Sequence, residues 1–134
     1  MTPELHLLAL VAVATVLMWI PYMLARIFTR GLPKTLANPD PSFAPDPAWA
    51  QRARAAHWNA VENLAVFATL VIIAAIARIS TPATILCCQV YLGARVLHYV
   101  VYTAGIPGLR TLAFGAGFAA TLTLAGAVLG HAVG

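Results

Sequence analysis

The chain has 134 residues, of which 61% are hydrophobic and only 9% are charged. A soluble domain carries about 25% charged residues, so this composition excludes an ordinary soluble enzyme and indicates an integral membrane protein. The formal net charge is +4, and the basic residues lie at predicted helix ends and in one loop. This distribution argues against nucleic-acid binding, and it favours roles in membrane topology and in holding an anionic ligand.

The first apolar segment covers about residues 5–28, "LHLLALVAVATVLMWIPYMLARIF". Pro3 and Glu4 favour a helix start, because proline is tolerated in the first turn and an acid complements the positive end of the helix dipole. Pro21 predicts a kink inside the helix. The N-terminus lacks the basic region of a signal peptide, so we expect this segment to remain as a transmembrane helix.

A loop follows, "TRGLPKTLANPDPSFAPDP", whose five prolines exclude a continuous helix. Most of the basic residues outside the later helices lie in this loop or beside it. They are Arg26, Arg30, Lys34, Arg52 and Arg54. The positive-inside rule therefore predicts a cytoplasmic loop, with both termini on the opposite side of the membrane.

Three further apolar segments are predicted at about residues 49–78, 82–104 and 108–131. Each is long enough for a spanning helix of roughly 20 residues. The last is rich in glycine and alanine, and Gly115, Gly117 and Ala119 are candidates for close helix packing. The sequence thus predicts one all-α domain over residues 1–134, an integral membrane four-helix bundle without internal repeats.

Polar side chains cluster in the loop-side half of helices two, three and four. Spacings of three, four and seven residues place side chains on one helix face, and a helix start favours an anion. The candidates are Asn59 and Glu62 on helix two, Arg95, His98 and Tyr102 on helix three, and Arg110 and Thr111 at the start of helix four. Arginines suit carboxylates and a carboxylate suits an ammonium group, so this set predicts a site for a zwitterionic or polyanionic small molecule.

Structural roles are alternative explanations for parts of this set. Glu62 and Arg95 can form an ion pair that only joins two helices. His98 can serve as an interhelical hydrogen-bonding group, and the loop arginines can act only as topology determinants. The histidines lack metal-binding spacing, so no metal site is predicted. The adjacent Cys87 and Cys88 are interpreted as apolar packing residues.

The motifs "AHWNAVEN", "YLGARVLHYVVY" and "GLRTLAFGAG" on successive helices resemble the MAPEG family, the membrane-associated proteins in eicosanoid and glutathione metabolism. The resemblance is nearest to the microsomal prostaglandin E synthase and microsomal glutathione transferase branch, as a bacterial-type member. That branch has A-H-x-N-x-x-E on helix two and R-x-x-H-x-x-x-Y on helix three. An arginine followed by a hydroxyl residue opens its helix four.

The resemblance implies a homotrimer that binds glutathione between subunits near the cytoplasmic face, with a lipophilic electrophile or lipid peroxide arriving from the bilayer. It implies that Arg110 and Thr111 activate the thiol. The residues that hold the tripeptide would be Arg30, Asn59, Glu62, Arg95, His98 and Tyr102. Two positions depart from the family pattern: Ala55 stands where an arginine is frequent, and Phe114 replaces a tyrosine.

Two other classes remain to be compared with a glutathione-dependent enzyme. A non-catalytic member of the same family, which binds a lipid or a protein partner, is favoured by Ala55 and Phe114. A small multidrug transporter also has four short helices, but its essential glutamate lies in the middle of helix one. Here helix one has no acid after Glu4.

Overall fold

A computed structural model describes residues 1–131 of the chain, and every regular element in that range is an α-helix. Four segments are long and apolar enough to cross a membrane, namely Pro3–Arg30, Ala48–Ile76, Pro82–Ala104 and Pro107–His131. The predicted all-α fold with four membrane-spanning segments is thereby confirmed for the described residues. The span limits differ from the predicted ones by at most two residues, and those of Pro82–Ala104 are the same.

The first span consists of two helices, α1 (Pro3–Leu17) and α2 (Trp19–Arg30), which meet at Met18. Thr2 caps α1 by accepting a hydrogen bond from the backbone N–H of Leu5 at 3.3 Å. Pro21 explains the break, because a proline cannot donate to the carbonyl four residues earlier, which here belongs to Leu17. Met18 keeps right-handed helical angles, so the chain continues in nearly the same direction.

The loop contains one short helix, α3 (Leu32–Leu36), and residues 37–47 have no regular structure. Its many prolines lack the backbone N–H that a helix requires. The next helix, α4 (Ala48–Ile76), begins directly after Pro47 and extends for 29 residues. The polar first turns of α4 therefore lie beside the loop, before the apolar part of the membrane span.

The helices α4 and α5 (Pro82–Ala104) end in the same hydrogen-bonded motif. The backbone N–H of Ile79 donates to Ala74 at 2.8 Å, and that of Ile106 donates to Val101 at 3.0 Å. Each motif needs a residue with positive φ, which is Arg78 (58°) after α4 and Gly105 (82°) after α5. The last helix, α6 (Pro107–His131), starts directly after the second motif with proline in its first turn.

The helix α5 lies at the centre of the bundle and contacts α1, α4 and α6. Its Tyr91 stacks on Phe67 of α4 with ring centroids 3.6 Å apart, and both side chains are fully buried. Cys87 and Cys88 are buried free thiols in the same core, which agrees with their interpretation as packing residues. This packing fixes the rotation of α5 and so determines which of its polar residues face α4 and α6.

The two ends of the bundle differ in their polar contacts. The loop end is formed by the end of α2, the loop, the start of α4 and the α5–α6 turn, and Arg52 donates to the Thr103 carbonyl there at 3.0 Å. The terminal end holds the start of α1 and the α4–α5 turn. There Glu4, only 2% exposed, accepts hydrogen bonds from Thr84 at 2.6 Å and Ser80 at 3.1 Å.

Candidate functional site

Four of the predicted site residues line one open pocket between α5 and α6, close to the loop end. The pocket has a volume of about 310 Å³. Its walls are formed by His98 and Tyr102 of α5 and by Arg110, Thr111 and Phe114 of α6. The spacing of α5 places the first pair on one face, and the sharp turn at Gly105 brings the start of α6 against that face.

Arg110 is the cation of this pocket. Its Cζ atom lies 4.4 Å from the centroid of the Tyr102 ring, which is a cation–π contact. Among residues 1–131 its guanidinium forms no ion pair. The charge lies in the first turn of α6, where backbone N–H groups also favour an anion. The pocket is therefore electrostatically suited to a negatively charged group.

Thr111 supplies the hydroxyl at the rim of the pocket. Its Oγ1 donates to the Pro107 carbonyl at 3.1 Å, and the residue is exposed in the single chain. A threonine hydroxyl has one proton, so it must leave this carbonyl before it can donate to a ligand.

His98 forms the inner wall of the pocket and is 3% exposed. Its ring meets Tyr102 edge-on at a centroid distance of 5.5 Å, and Phe114 lies 6.3 Å away. The position is compatible both with a ligand contact at the pocket floor and with a packing role between α5 and α6.

Arg95 lies one turn deeper on α5 and is also 3% exposed. Its Nη1 donates to the side-chain oxygen of Asn59 at 3.1 Å, which joins α5 to α4. The guanidinium lies between two aromatic rings, 5.0 Å from Tyr91 and 5.3 Å from Phe114. Its Nε and Nη2 are buried without a hydrogen-bond partner among the described residues. A buried arginine with two free donors is costly unless an acceptor completes the site.

Gly117 of α6 provides the space for this arginine. A Cβ atom added there would lie 2.6 Å from Nη2 of Arg95 and 3.1 Å from its Nε. Such contacts are far inside van der Waals distance, so any side chain at this position must displace the guanidinium. Gly117, which the sequence predicted for close helix packing, therefore leaves room for the buried guanidinium of Arg95.

Glu62 stands apart from the α5–α6 pocket. It is exposed on the surface of the single chain, and within residues 1–131 it forms no ion pair. Arg95 contacts Asn59 instead, so the alternative in which Glu62 and Arg95 only join two helices of one chain is not seen. An ionised group on a membrane helix is costly when it faces lipid.

Arg30 lies at the other side of α4 from Arg110, since α2 contacts α4 but, in the described part of the chain, not α6. Its Nη2 donates to Asp46 at 3.1 Å. The same carboxylate accepts from Arg26, with a shortest distance of 2.6 Å. One chain therefore does not bring Arg30 and Arg110 into a common pocket.

The sequence matches the model of the MAPEG family over residues 5–130. The chain belongs to the MAPEG family. A search of curated proteins found no match. The family includes glutathione transferases and peroxidases as well as non-catalytic members, and its members commonly use glutathione.

Two contacts in this MAPEG chain were not anticipated from the sequence. Asp46 accepts hydrogen bonds from Arg26 and Arg30. These contacts, of which the one with Arg26 has the larger effect, lower the pKa of Asp46 below its ordinary value. The run Pro-Asp-Pro before α4 was the available signal, because two prolines hold the aspartate rigidly. The Tyr22 hydroxyl and Nδ1 of His57 lie 2.8 Å apart. No local signal links two residues 35 positions apart.

Proposed function

We propose that this MAPEG protein is a membrane-embedded glutathione-dependent transferase or peroxidase. It would activate the thiol of glutathione against a lipophilic electrophile or a lipid peroxide that arrives from the bilayer. The observation that carries the proposal is the guanidinium of Arg110, which forms no ion pair within residues 1–131 and lies 4.4 Å from the Tyr102 ring in an open pocket at the start of α6.

The chemistry follows from the charge of Arg110. A thiolate is the reactive form of a thiol, and an ordinary thiol with a pKa of about 8.5 is mostly protonated at neutral pH. A nearby guanidinium stabilises the anion and so lowers the thiol pKa. Thr111 donates a second hydrogen bond to the sulfur once its hydroxyl turns from the Pro107 carbonyl. Arg110 and Thr111 are the proposed catalytic residues.

The remaining polar residues would hold the tripeptide, which has two carboxylates and one ammonium group. His98 and Tyr102 contribute from the same pocket, while Arg95 contributes its two free donors with Asn59 as its support. Arg30 would bind a carboxylate, and Glu62 would bind the ammonium group or orient an arginine that does.

A homotrimer would bring these groups together. Arg30 and Arg110 lie on different sides of α4 in one chain, and Glu62 faces outward. A neighbouring subunit that covers Glu62 would remove a charge from lipid and place it beside a pocket of the adjacent chain. The proposed site therefore lies between subunits, and the loop end would face the cytoplasm by the positive-inside rule.

A non-catalytic MAPEG protein that binds a lipid or a protein partner is the second candidate. Phe114 lines the Arg110 pocket with a ring that has no hydroxyl, where the family pattern has a tyrosine. Ala55 likewise removes an arginine. Both changes remove polar contacts to a tripeptide and leave the fold intact.

Thiolate formation tests the first candidate directly. Purified protein in detergent is mixed with glutathione at neutral pH, and the ultraviolet difference absorbance of the thiolate is recorded. We expect a signal from the wild type and a signal from Arg110→Ala that is weaker by up to about tenfold, the largest effect of a pKa change of about one unit. Arg78→Ala, which removes the same charge at the terminal end, is the matched control and should keep the signal.

Absence of the signal at saturating glutathione in the wild type would overturn the catalytic proposal and favour the non-catalytic candidate. A signal that survives in Arg110→Ala would show that another group activates the thiol. Equilibrium binding of glutathione, measured on the same samples, separates loss of binding from loss of thiol activation.

A further inference from the structure

Two arginines near the start of α4 differ in what they contact. Arg54 is exposed, and within residues 1–131 it forms no ion pair. Arg52 is half-buried, and its Nε donates to the backbone carbonyl of Thr103, 51 positions later in the chain, at 3.0 Å. A role in membrane topology explains Arg54, because topology requires only a positive charge on the loop side. It does not explain a specific hydrogen bond from Arg52 to the end of α5.

The carbonyl that Arg52 binds has no partner in its own helix. In a continuous helix the Thr103 carbonyl would accept from the residue four positions later, which is Pro107 and has no backbone N–H. The N–H groups of Gly105 and Ile106 donate to earlier carbonyls of α5, each at 3.0 Å. A polar backbone group without a partner is costly beside a membrane span. Arg52 therefore supplies the donor that the α5–α6 turn lacks.

The turn also has the space and the charge that suit this arginine. A Cβ atom added to Gly105 would lie 3.3 Å from Nε and 3.4 Å from Cζ of Arg52. Gly105 has a φ of 82°, which also favours glycine. The last turn of α5 contains no basic residue of its own. The guanidinium of Arg52 thus provides, from a different helix, the cation that complements the negative end of the α5 dipole.

The same turn leads directly into the two proposed catalytic residues. The backbone N–H of Arg110 donates to the Ile106 carbonyl at 3.2 Å, and the Thr111 hydroxyl donates to the Pro107 carbonyl at 3.1 Å. Tyr102, whose ring centroid lies 4.4 Å from the Arg110 guanidinium, belongs to the last turn of α5. A shift of the turn would therefore move the guanidinium relative to the ring and change its place in the pocket.

We propose that Arg52 is a positioning residue for the thiol chemistry: its hydrogen bond to the Thr103 carbonyl holds the α5–α6 turn, and so keeps Arg110 where it stabilises the thiolate. Arg52 is not among the walls of the α5–α6 pocket, so it acts through the turn and not by touching the ligand there. The inference rests on the function proposed for Arg110. It adds the requirement that the effect of Arg52 disappears when the Arg110 guanidinium is absent.

The experiment measures the apparent pKa of the bound glutathione thiol from thiolate absorbance over a series of pH values at saturating glutathione. Arg52→Met removes the hydrogen bond and the charge and keeps a long side chain. We expect it to raise the apparent pKa by about half a unit, which corresponds to about threefold less thiolate at neutral pH. Arg52→Lys keeps a charged donor and should restore most of the thiolate. Arg78→Met, the matched control at the terminal end, should behave as the wild type.

A double variant distinguishes positioning from a general structural role. If Arg52 acts only through Arg110, then Arg52→Met combined with Arg110→Ala has the same apparent thiol pKa as Arg110→Ala alone. A further rise in the double variant would overturn the proposal, because Arg52 would then act by a second route. Should Arg52→Met lack native helix content by circular dichroism, Arg52→Gln, which keeps a neutral donor, replaces it in the same comparison.

Hydrogen exchange without glutathione tests the turn separately from the chemistry. The amides of Gly105 and Ile106 should exchange about tenfold faster in Arg52→Met than in the wild type, and Arg78→Met should leave them unchanged. Unchanged exchange, or unchanged thiolate in Arg52→Met when the wild type forms thiolate, would overturn the positioning role while the role of Arg110 stands. A wild type that forms no thiolate would refute the proposed function itself, and the positioning role with it.

Discussion

The two ends of the bundle each contain a shielded carboxylate, but they neutralise it differently. At the terminal end Glu4 accepts from the hydroxyls of Thr84 and Ser80, and within residues 1–131 it forms no ion pair. At the loop end Asp46 is bound by two arginines, and further cations remain unpaired among the described residues. Polar groups that are hydrogen-bonded to one another stabilise the fold, while cations without an ion-pair partner can bind a ligand. We therefore expect the terminal end to have a structural role and the loop end to have a ligand-binding role.

Removal of Glu4 should produce the largest loss of stability. Glu4→Ala deletes both hydrogen bonds to a charged acceptor, each worth roughly 1.5–3 kcal/mol, although the Thr84 hydroxyl can still donate to the Thr81 carbonyl at 2.9 Å. We expect the free energy of unfolding in detergent to fall by about 3 kcal/mol. Ser80→Ala removes only one of the bonds and should cost about 1 kcal/mol. Thiolate formation in the folded fraction should not change.

An unfolding midpoint of Glu4→Ala equal to that of the wild type would contradict the structural assignment of the terminal end. A selective loss of thiolate formation with unchanged stability would contradict it as well, because it would connect this end to the site. Chemical unfolding curves and thiolate absorbance from the same preparation decide between these results.

Gly117→Ala should have the next largest effect, and it acts at the loop-side site. The added Cβ meets the buried guanidinium of Arg95 at 2.6 Å, so Arg95 must shift away from Asn59 or α6 must move. Gly115→Ala is a matched control on the same helix, because a Cβ there has no atom within 4 Å. Alanine is favoured over glycine in helices by about 1 kcal/mol, so the control should gain stability.

We therefore expect Gly115→Ala and Gly117→Ala to differ by about 2 kcal/mol in the free energy of unfolding, with opposite signs relative to the wild type. Glutathione affinity, measured by titration calorimetry, should fall only in Gly117→Ala. Equal behaviour of the two variants would show that Arg95 has room to move and that Gly117 has no special role.

Periodicity predicted the parts of this architecture that depend on a single helix. The common face of Arg95, His98 and Tyr102 follows from 3.6 residues per turn. The break near Met18 follows from the covalent structure of Pro21. These features need no knowledge of neighbouring helices, so the sequence determines them directly.

Contacts between elements could not be predicted in the same way. The fit of Arg95 against Gly117 depends on the register between α5 and α6, which the period of either helix leaves open. The outward position of Glu62 depends on the rotation of α4, which the stacking of Phe67 on Tyr91 fixes. The capture of Arg26 and Arg30 by Asp46 depends on the path of a proline-rich loop. In each case the decisive contact joins residues distant in the sequence.

The smallest predicted effect is the contribution of Asp46 to the free energy of unfolding, which depends on pH. The arginine contacts lower the pKa of Asp46 below 3.8, so the folded state binds fewer protons than the unfolded state in this range. The stabilisation is therefore complete at pH values above 3.8 and is lost as the pH falls through the lower, folded-state pKa. Asp46→Asn should cost about 1 kcal/mol at neutral pH, and the difference from the wild type should shrink in acid.

Thermal unfolding in detergent over a series of pH values checks this prediction. Asp40→Asn is the control, because Asp40 lies exposed in the same loop, accepts from the backbone N–H of Ser42 and forms no ion pair within residues 1–131. Its effect should be smaller than that of Asp46→Asn at neutral pH. If the Asp46→Asn difference stayed constant into acid, the ion pairs with Arg26 and Arg30 would contribute nothing to stability. The loop would then be held by its prolines and by the contacts of Phe43 with Arg30 and Lys34.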